Sequence, residues 1–163
     1  MVDFKKDIWI YILIAAVLAL ISIFTPLGTV EGGTILGQDL PDFTIWWTTV
    51  IMYSEDLDPN WWGGGAASLW TLGITCMSIA ALLFYGIHKM KGMEFKWDWL
   101  VFALVGIALI VFPILIMVFD LESALFGEIA IGFAPIGILI SGCICIVAFV
   151  FDKFGDKIFG RGE

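Results

Sequence analysis

An all-α membrane protein, folded as a four-helix transmembrane bundle with a long, partly β extracytoplasmic loop between helices 1 and 2, is what the residue pattern predicts. Three observations carry that expectation. Apolar residues make up 61% of the 163 residues and the mean hydropathy is +1.01, more apolar surface than one water-soluble core can hide. Four apolar runs of 17, 22, 21 and 23 residues, at 8–24, 66–87, 99–119 and 129–151, hold no charged side chain in their interiors. The charges themselves are segregated between alternate connections.

A hydrocarbon core of ~30 Å needs ~20 helical residues at a rise of ~1.5 Å. The last three runs reach that length, and the first approaches it by extending through Thr25, giving spans at about 8–25, 66–87, 99–119 and 129–151. Lys5 and Lys6 precede the first run, Lys89, Lys91 and Lys96 separate the second from the third, and Lys153, Lys157 and Arg161 follow the fourth. These are all eight cations, and retention of Lys and Arg on the cytoplasmic side places both termini there. The other side holds nine acids and no cation: Glu31, Asp39, Asp42, Glu55, Asp56, Asp58, Asp120, Glu122 and Glu128. The start has the look of a secretory signal peptide, and we read it as a retained signal anchor. No lipidation motif is evident, and Asn60, followed by two Trp, is no glycosylation acceptor. The expected location is the cell membrane, multi-pass.

The connections differ in length. Residues 88–98 and 120–128 make short turns, whereas 26–65 is a 40-residue segment that is expected to fold as a loop subdomain. Within it, 28–37 reads as a β-hairpin turning at Glu31-Gly32-Gly33 between Thr29-Val30 and Thr34-Ile35-Leu36. The run 43–53, rich in β-branched and aromatic residues, reads as one strand with Phe43, Ile45, Trp47, Ile51 and Tyr53 on one face. It is too short for a fifth spanning helix, and an odd number of crossings would undo the charge segregation. Trp46, Trp47, Trp61, Trp62 and Trp70 are then assigned to the outer interface and Trp97 and Trp99 to the inner one. Aromatic anchoring outweighs ligand stacking as their role, while Trp46, Trp47, Trp61 and Trp62 are also the candidate interaction surface of the loop.

Chemistry is sparse in the sequence. The sole His, His88, sits beside Lys89 at a membrane edge, and Cys76, Cys143 and Cys145 fall inside helices, where a two-residue spacing points the last two in different directions. They read as small packing residues, with no pair available for a loop disulfide. Ion-coupled transport usually leaves ionisable groups within spans, and these spans contain none. Thr71, Thr75 and Ser78 form one polar stripe on the second helix, which either bonds back to its own carbonyls or lines a water path, the former being the stronger reading. Glu55, Asp56, Asp58 and Asn60 could offer oxygens to a hard cation such as calcium, but without the spacing of a known calcium loop a solvated acidic turn is favoured.

Lipid is as apolar as Leu, so spanning helices associate through small residues and hydrogen bonds. The fourth run carries Ala130, Ala134, Gly137, Ser141, Cys145 and Ala148 at spacings of four, three, four, four and three. The first carries Ala15, Ala19 and Ser22, and the third Ala103, Gly106 and Pro113. The fourth face is expected to pack on the first helix within the chain, with a second subunit as the alternative. Ile138 is expected to lie outside this stripe.

Four spans, cytoplasmic termini, a long β-prone first outer loop with Trp46 and Trp47, and Ser68-Leu69-Trp70 leading into the second span resemble the claudin and peripheral-myelin-protein superfamily. That family carries a Gly-Leu-Trp and a Cys pair in this loop; here Ser68 replaces the Gly, the Cys pair is missing and no basic residue precedes the second span. The resemblance implies an outer β-sheet on a left-handed four-helix bundle and a role in lateral assembly or cell-surface contact.

The expected function is that of a structural or assembly protein, self-associating or a small subunit of a larger membrane complex. It would act through helix packing and its outer loop, with the bilayer, further copies or other membrane subunits as partners and no nucleic acid. A channel subunit with an acidic outer vestibule is the alternative, and a membrane enzyme using an outer metal is the least favoured. No enzymatic activity and no cofactor beyond bound lipid are expected.

Overall fold

A computed structural model describes residues 7–30, 34–35, 38–39, 42–47, 49–54, 57–63, 66–93, 95–115 and 129–158. Helix dominates. Among the described residues there are four α-helices: α1 (Ile8–Ile23), α2 (Ala66–Met90), α3 (Asp98–Leu115) and α4 (Phe133–Ile158). Three of them contain stretches long and apolar enough to cross a membrane: Trp70–Met90, Asp98–Leu115 and Phe133–Gly155. α1 is shorter, with 16 residues. It ends with the chain leaving at Phe24 and Thr25, ahead of Pro26, whose ring fixes φ and removes a donor.

The helices are apolar on every side, the pattern expected where the surrounding solvent is itself apolar. On α1, Ile8, Ile12, Ala15, Ala16, Ala19 and Ser22 are buried, while Ile10, Ile14, Val17, Leu20 and Ile21 point outward. Met77 and Phe84 on α2, Leu104 and Ile107 on α3, and Ile136, Ile140 and Val147 on α4 are likewise exposed. Three long apolar helices with this outward face support a membrane protein. The helices pack in a ring, α1 lying against α2 and α4, and α3 against the same two.

α2 ends in a Schellman arrangement. Gly92 takes φ +75°, Met93 N–H donates to the His88 carbonyl and Gly92 N–H to that of Lys89. α3 begins with one half of a capping box, the buried Asp98 carboxylate accepting the Phe95 N–H at 3.0 Å, while Asp98 N–H closes a backbone turn onto the Phe95 carbonyl.

Among the described residues, seven short strands accompany the helices: β1 (Gly28–Val30), β2 (Thr34–Ile35), β3 (Gln38–Asp39), β4 (Asp42–Ile45), β5 (Thr49–Ser54), β6 (Leu57–Gly63) and β7 (Ile129–Ile131). Five form an antiparallel sheet in the order β6-β5-β4-β1-β7, and β2 pairs with β3 separately.

This pairing corrects three sequence-based expectations. The hairpin expected over 28–37 does not form, since β1 pairs with β4 and β7, and β2 turns back onto β3 instead. The single strand expected over 43–53 is two strands, with Ile45 opposite Val50 and Phe43 opposite Met52, so one alternation cannot run through it. The chain reverses around Trp47, which is buried with Leu27 among the helix core residues. The fourth run does not start as helix: 129–131 is strand β7, and α4 begins only at Phe133.

β6 was not anticipated. It lies at the edge of the sheet and contains Pro59, a residue confined to edges and bulges because it cannot donate to a ladder. The register slips there as expected: Met52 faces Asn60 but Ser54 faces Leu57, so Asp58 and Pro59 together oppose Tyr53.

Candidate interaction site

The sheet is fastened to the helices where α1 ends and α4 begins. Leu27, directly after Pro26, donates its N–H to the Ile45 carbonyl at 2.8 Å. Its own carbonyl accepts the Gly132 N–H at 2.8 Å, and the Pro26 carbonyl accepts the Ala134 N–H at 3.3 Å. Two donors at the start of α4, which have no acceptor within that helix, are thereby satisfied. Gly132 permits this contact, because a Cβ there would run into the Pro26 carbonyl oxygen and lie 2.8 Å from the Leu27 carbonyl carbon.

Below this joint runs the seam between α1 and α4. Ala15, Ala19 and Ser22 of α1 and Ala134, Gly137, Ser141, Cys145 and Ala148 of α4 are all buried. Ser141 Oγ donates across the seam to the Ala15 carbonyl at 2.6 Å. Gly137 sits against Ser22, whose hydroxyl donates to the Leu18 carbonyl at 2.8 Å; a Cβ on Gly137 would collide with Ser22 Oγ and lie 3.0 Å from a Phe133 ring carbon.

Ala130 does not join this face. It belongs to β7 and is exposed, because the strand pairing with β1 takes 129–131 out of the helix and sets a different side-chain period. Ile138, expected outside the stripe, is fully buried, one position after Gly137 and four after Ala134 on a face wider than the small-residue row. Cys145 turns toward α3, its Cβ lying 3.2 Å from where a Cβ on Gly106 would stand.

Two further close approaches escaped the reading of the sequence. Gly142 lies on Gly106 and Ile110, with a hypothetical Cβ 3.0 Å from the Gly106 carbonyl oxygen and 2.7 Å from Ile110 Cγ1. Gly86 lies on Leu13, 2.9 Å from Cδ2 by the same measure. Both are single glycines without a periodic partner, so only the neighbouring helix identifies them.

Thr71, Thr75 and Ser78 are buried on α2, and Thr75 Oγ1 donates to the Thr71 carbonyl at 2.8 Å. Trp47 is buried and Trp46 half-buried; the indole N–H of each is enclosed without an acceptor among the described residues. Trp61 and Trp62 lie on β6, as do Asp58 and Asn60, whereas Glu55 and Asp56 fall outside the described residues. Among the described residues, no three His, Cys, Asp or Glu side chains gather as metal ligands would. Cys76 and Cys143 are exposed on their helices.

At the end of the helices away from the sheet, Lys89 of α2 pairs with Asp152 of α4, joining two helices on opposite sides of the ring. Both side chains are largely buried, and Lys89 Nζ also stands 5.4 Å from the Phe102 ring centroid. His88 is flanked by the Phe84 and Phe95 rings, with Nδ1 2.8 Å from the Phe84 carbonyl oxygen. Nothing local in the sequence couples residues 89 and 152; the partnership arises from the fold.

No protein-family model matches the chain, and no curated protein matches it in sequence.

Proposed function

We propose that this protein is a non-enzymatic membrane assembly protein. It crosses the bilayer four times with both termini in the cytoplasm and carries the sheet as an extracytoplasmic platform, in the manner of the claudin-like architecture that its sequence resembles. Its partners are further copies of itself or other subunits of a membrane complex, bound through the loop subdomain, Trp61 and Trp62 of β6 included.

One observation carries this reading. Small residues and the Ser141 hydroxyl are consumed in holding α4 to α1, so the seam serves internal cohesion and supports the sheet as a rigid unit. An edge strand such as β6 has one row of backbone groups directed away from the sheet, which is the usual substrate for strand addition. The Thr71, Thr75 and Ser78 stripe supports a channel less well, since the Thr75 hydroxyl is engaged by its own helix.

Native mass spectrometry from mild detergent tests the proposal, with a defined oligomer or a co-purifying membrane subunit expected. A monodisperse monomer that conducts cations in liposomes would replace assembly with the channel reading.

A further inference from the structure

We infer that the end of the helices away from the sheet holds a binding site for an anionic phospholipid headgroup, formed by Lys96, Trp97, Trp99 and Lys153. The inference rests on the membrane-spanning reading above, but the site is built from contacts independent of it.

The cations at this end are not equivalent. Lys89 is committed to Asp152 and withdrawn from solvent. Lys96 and Lys153 are exposed, and each places Nζ over an indole face, at 6.0 Å from the Trp97 centroid and 4.1 Å from that of Trp99. The two indoles are themselves neighbours, 6.5 Å apart and inclined at 29°. Two ammonium groups are thus held on adjoining aromatic platforms, in a setting where cation–π attraction limits their wandering without neutralising their charge.

Two acids that adjoin them in sequence are engaged elsewhere. Asp98, between the two Trp in sequence, is buried and accepts the Phe95 N–H, while Asp152, adjacent to Lys153, is held by Lys89. Among the described residues, neither Lys96 nor Lys153 meets a carboxylate within ion-pair distance. Among the described side chains, a chain with a formal net charge of −8 thus brings two exposed, unpaired ammonium groups together here.

Apolar surface adjoins it. From Trp99 the rings continue through Phe149 at 6.2 Å to Phe154 at a further 6.2 Å, and Trp97 and Phe154 are exposed. These residues sit at or near the ends of the apolar stretches Asp98–Leu115 and Phe133–Gly155, the depth at which a bilayer passes from acyl chain to headgroup. A phosphodiester that carries its own apolar tail satisfies both parts of the surface; a free phosphate satisfies only the lysines. For each ammonium that touches the bound headgroup, an affinity factor of roughly fivefold is expected, the size of a lysine's contribution at an anionic surface.

The test uses the full chain in mild detergent, titrated with phosphatidylglycerol or phosphatidylcholine and read by native mass spectrometry. Phosphatidylglycerol should be preferred, with a loss of roughly fivefold for Lys96→Gln and for Lys153→Gln and roughly 25-fold for the pair, while Lys91→Gln, an exposed lysine without a ring partner among the described residues, changes binding less than twofold. Phosphatidylcholine binding should be the same in all variants, and their melting temperatures should match. Equal losses for Lys91→Gln and Lys153→Gln would reduce the site to diffuse charge attraction and overturn it. Displacement of phosphatidylglycerol by millimolar inorganic phosphate would overturn the lipid assignment in favour of a phosphate site. A protein that floats with liposomes yet lacks any phosphatidylglycerol preference loses this site and keeps the spanning reading; one that fails to enter liposomes loses both.

Discussion

Gly137 and Ser141 illustrate how differently two residues of one stripe act. Ser141 contributes a hydrogen bond to the Ala15 carbonyl, and such bonds between membrane helices average only ~0.6 kcal/mol because the separated helices find other partners. Gly137 contributes absence: its missing side chain lets α4 rest on Ser22. Overfilling a packed site typically costs ~1–3 kcal/mol, so Gly137→Leu should lower the melting temperature in detergent clearly, and Ser141→Ala only slightly. Ile140→Leu, on the exposed side of α4, serves as the control; Ile138 cannot, being fully buried. If Gly137→Leu melts like Ile140→Leu, the close seam is wrong, and if it dissociates an oligomer while leaving the monomer intact, the face belongs to assembly. The small-residue spacing was legible at this scale from Ala134 to Ala148. The inward turn of Asp98 and the pairing of Lys89 with Asp152 were not, because a charged residue near a span end looks the same in sequence whether it faces water or a partner.

Among the elements, the joint of β1, β7 and α4 has the largest structural consequence. β1 is only three residues long and is held in register by neighbours from both directions along the chain, β4 and β7. Its attachment passes through Gly132, where even a methyl group would press on the Pro26–Leu27 backbone. Gly132→Ala should therefore loosen the sheet while leaving the four helices packed. Limited proteolysis reads this directly, and chymotrypsin is the suitable enzyme because 26–65 contains no Lys or Arg. The parent protein should be cut slowly at Phe43 and Tyr53 and the variant several-fold faster, with unchanged helical circular dichroism. Equal cutting rates would mean that the sheet does not depend on this joint. The strand-rich character of the segment could be read from its β-branched and aromatic residues. Its pairing could not: a three-residue strand such as Gly28–Val30 has no preference strong enough to choose between the nearby Thr34–Ile35 and the distant Ile129–Ile131.

For the whole molecule, the helices expose large apolar side chains on their outer faces, and three of them are long enough to cross a bilayer. In the proposed four-span topology all eight cations would fall on one side, and the proposed orientation places that side in the cytoplasm. Single cysteines at Asp58 and Glu122, in a background with Cys76, Cys143 and Cys145 replaced, should react with an impermeant thiol reagent on intact cells, whereas one at Gly92 should remain unlabelled. External labelling of Gly92 would reverse the topology and move the lysine–tryptophan surface to the opposite leaflet.

Hydropathy and charge are sums over neighbouring residues, and neighbouring residues are what a sequence displays. That is why the membrane class, the approximate helices and the small-residue face of α4 could be read from it alone. Pairing is a property of segments that meet only after folding. The insertion of β1 between β4 and β7, the division of 43–53 into two strands, the loss of Ala130 from α4 and the tie between Lys89 and Asp152 were decided by tertiary structure. The two strands of 43–53 are neighbours in sequence, but in the other cases the deciding partner lies outside the local window: for β1 and β7 it stands at the far end of the chain, brought near because α1 and α4 share a seam.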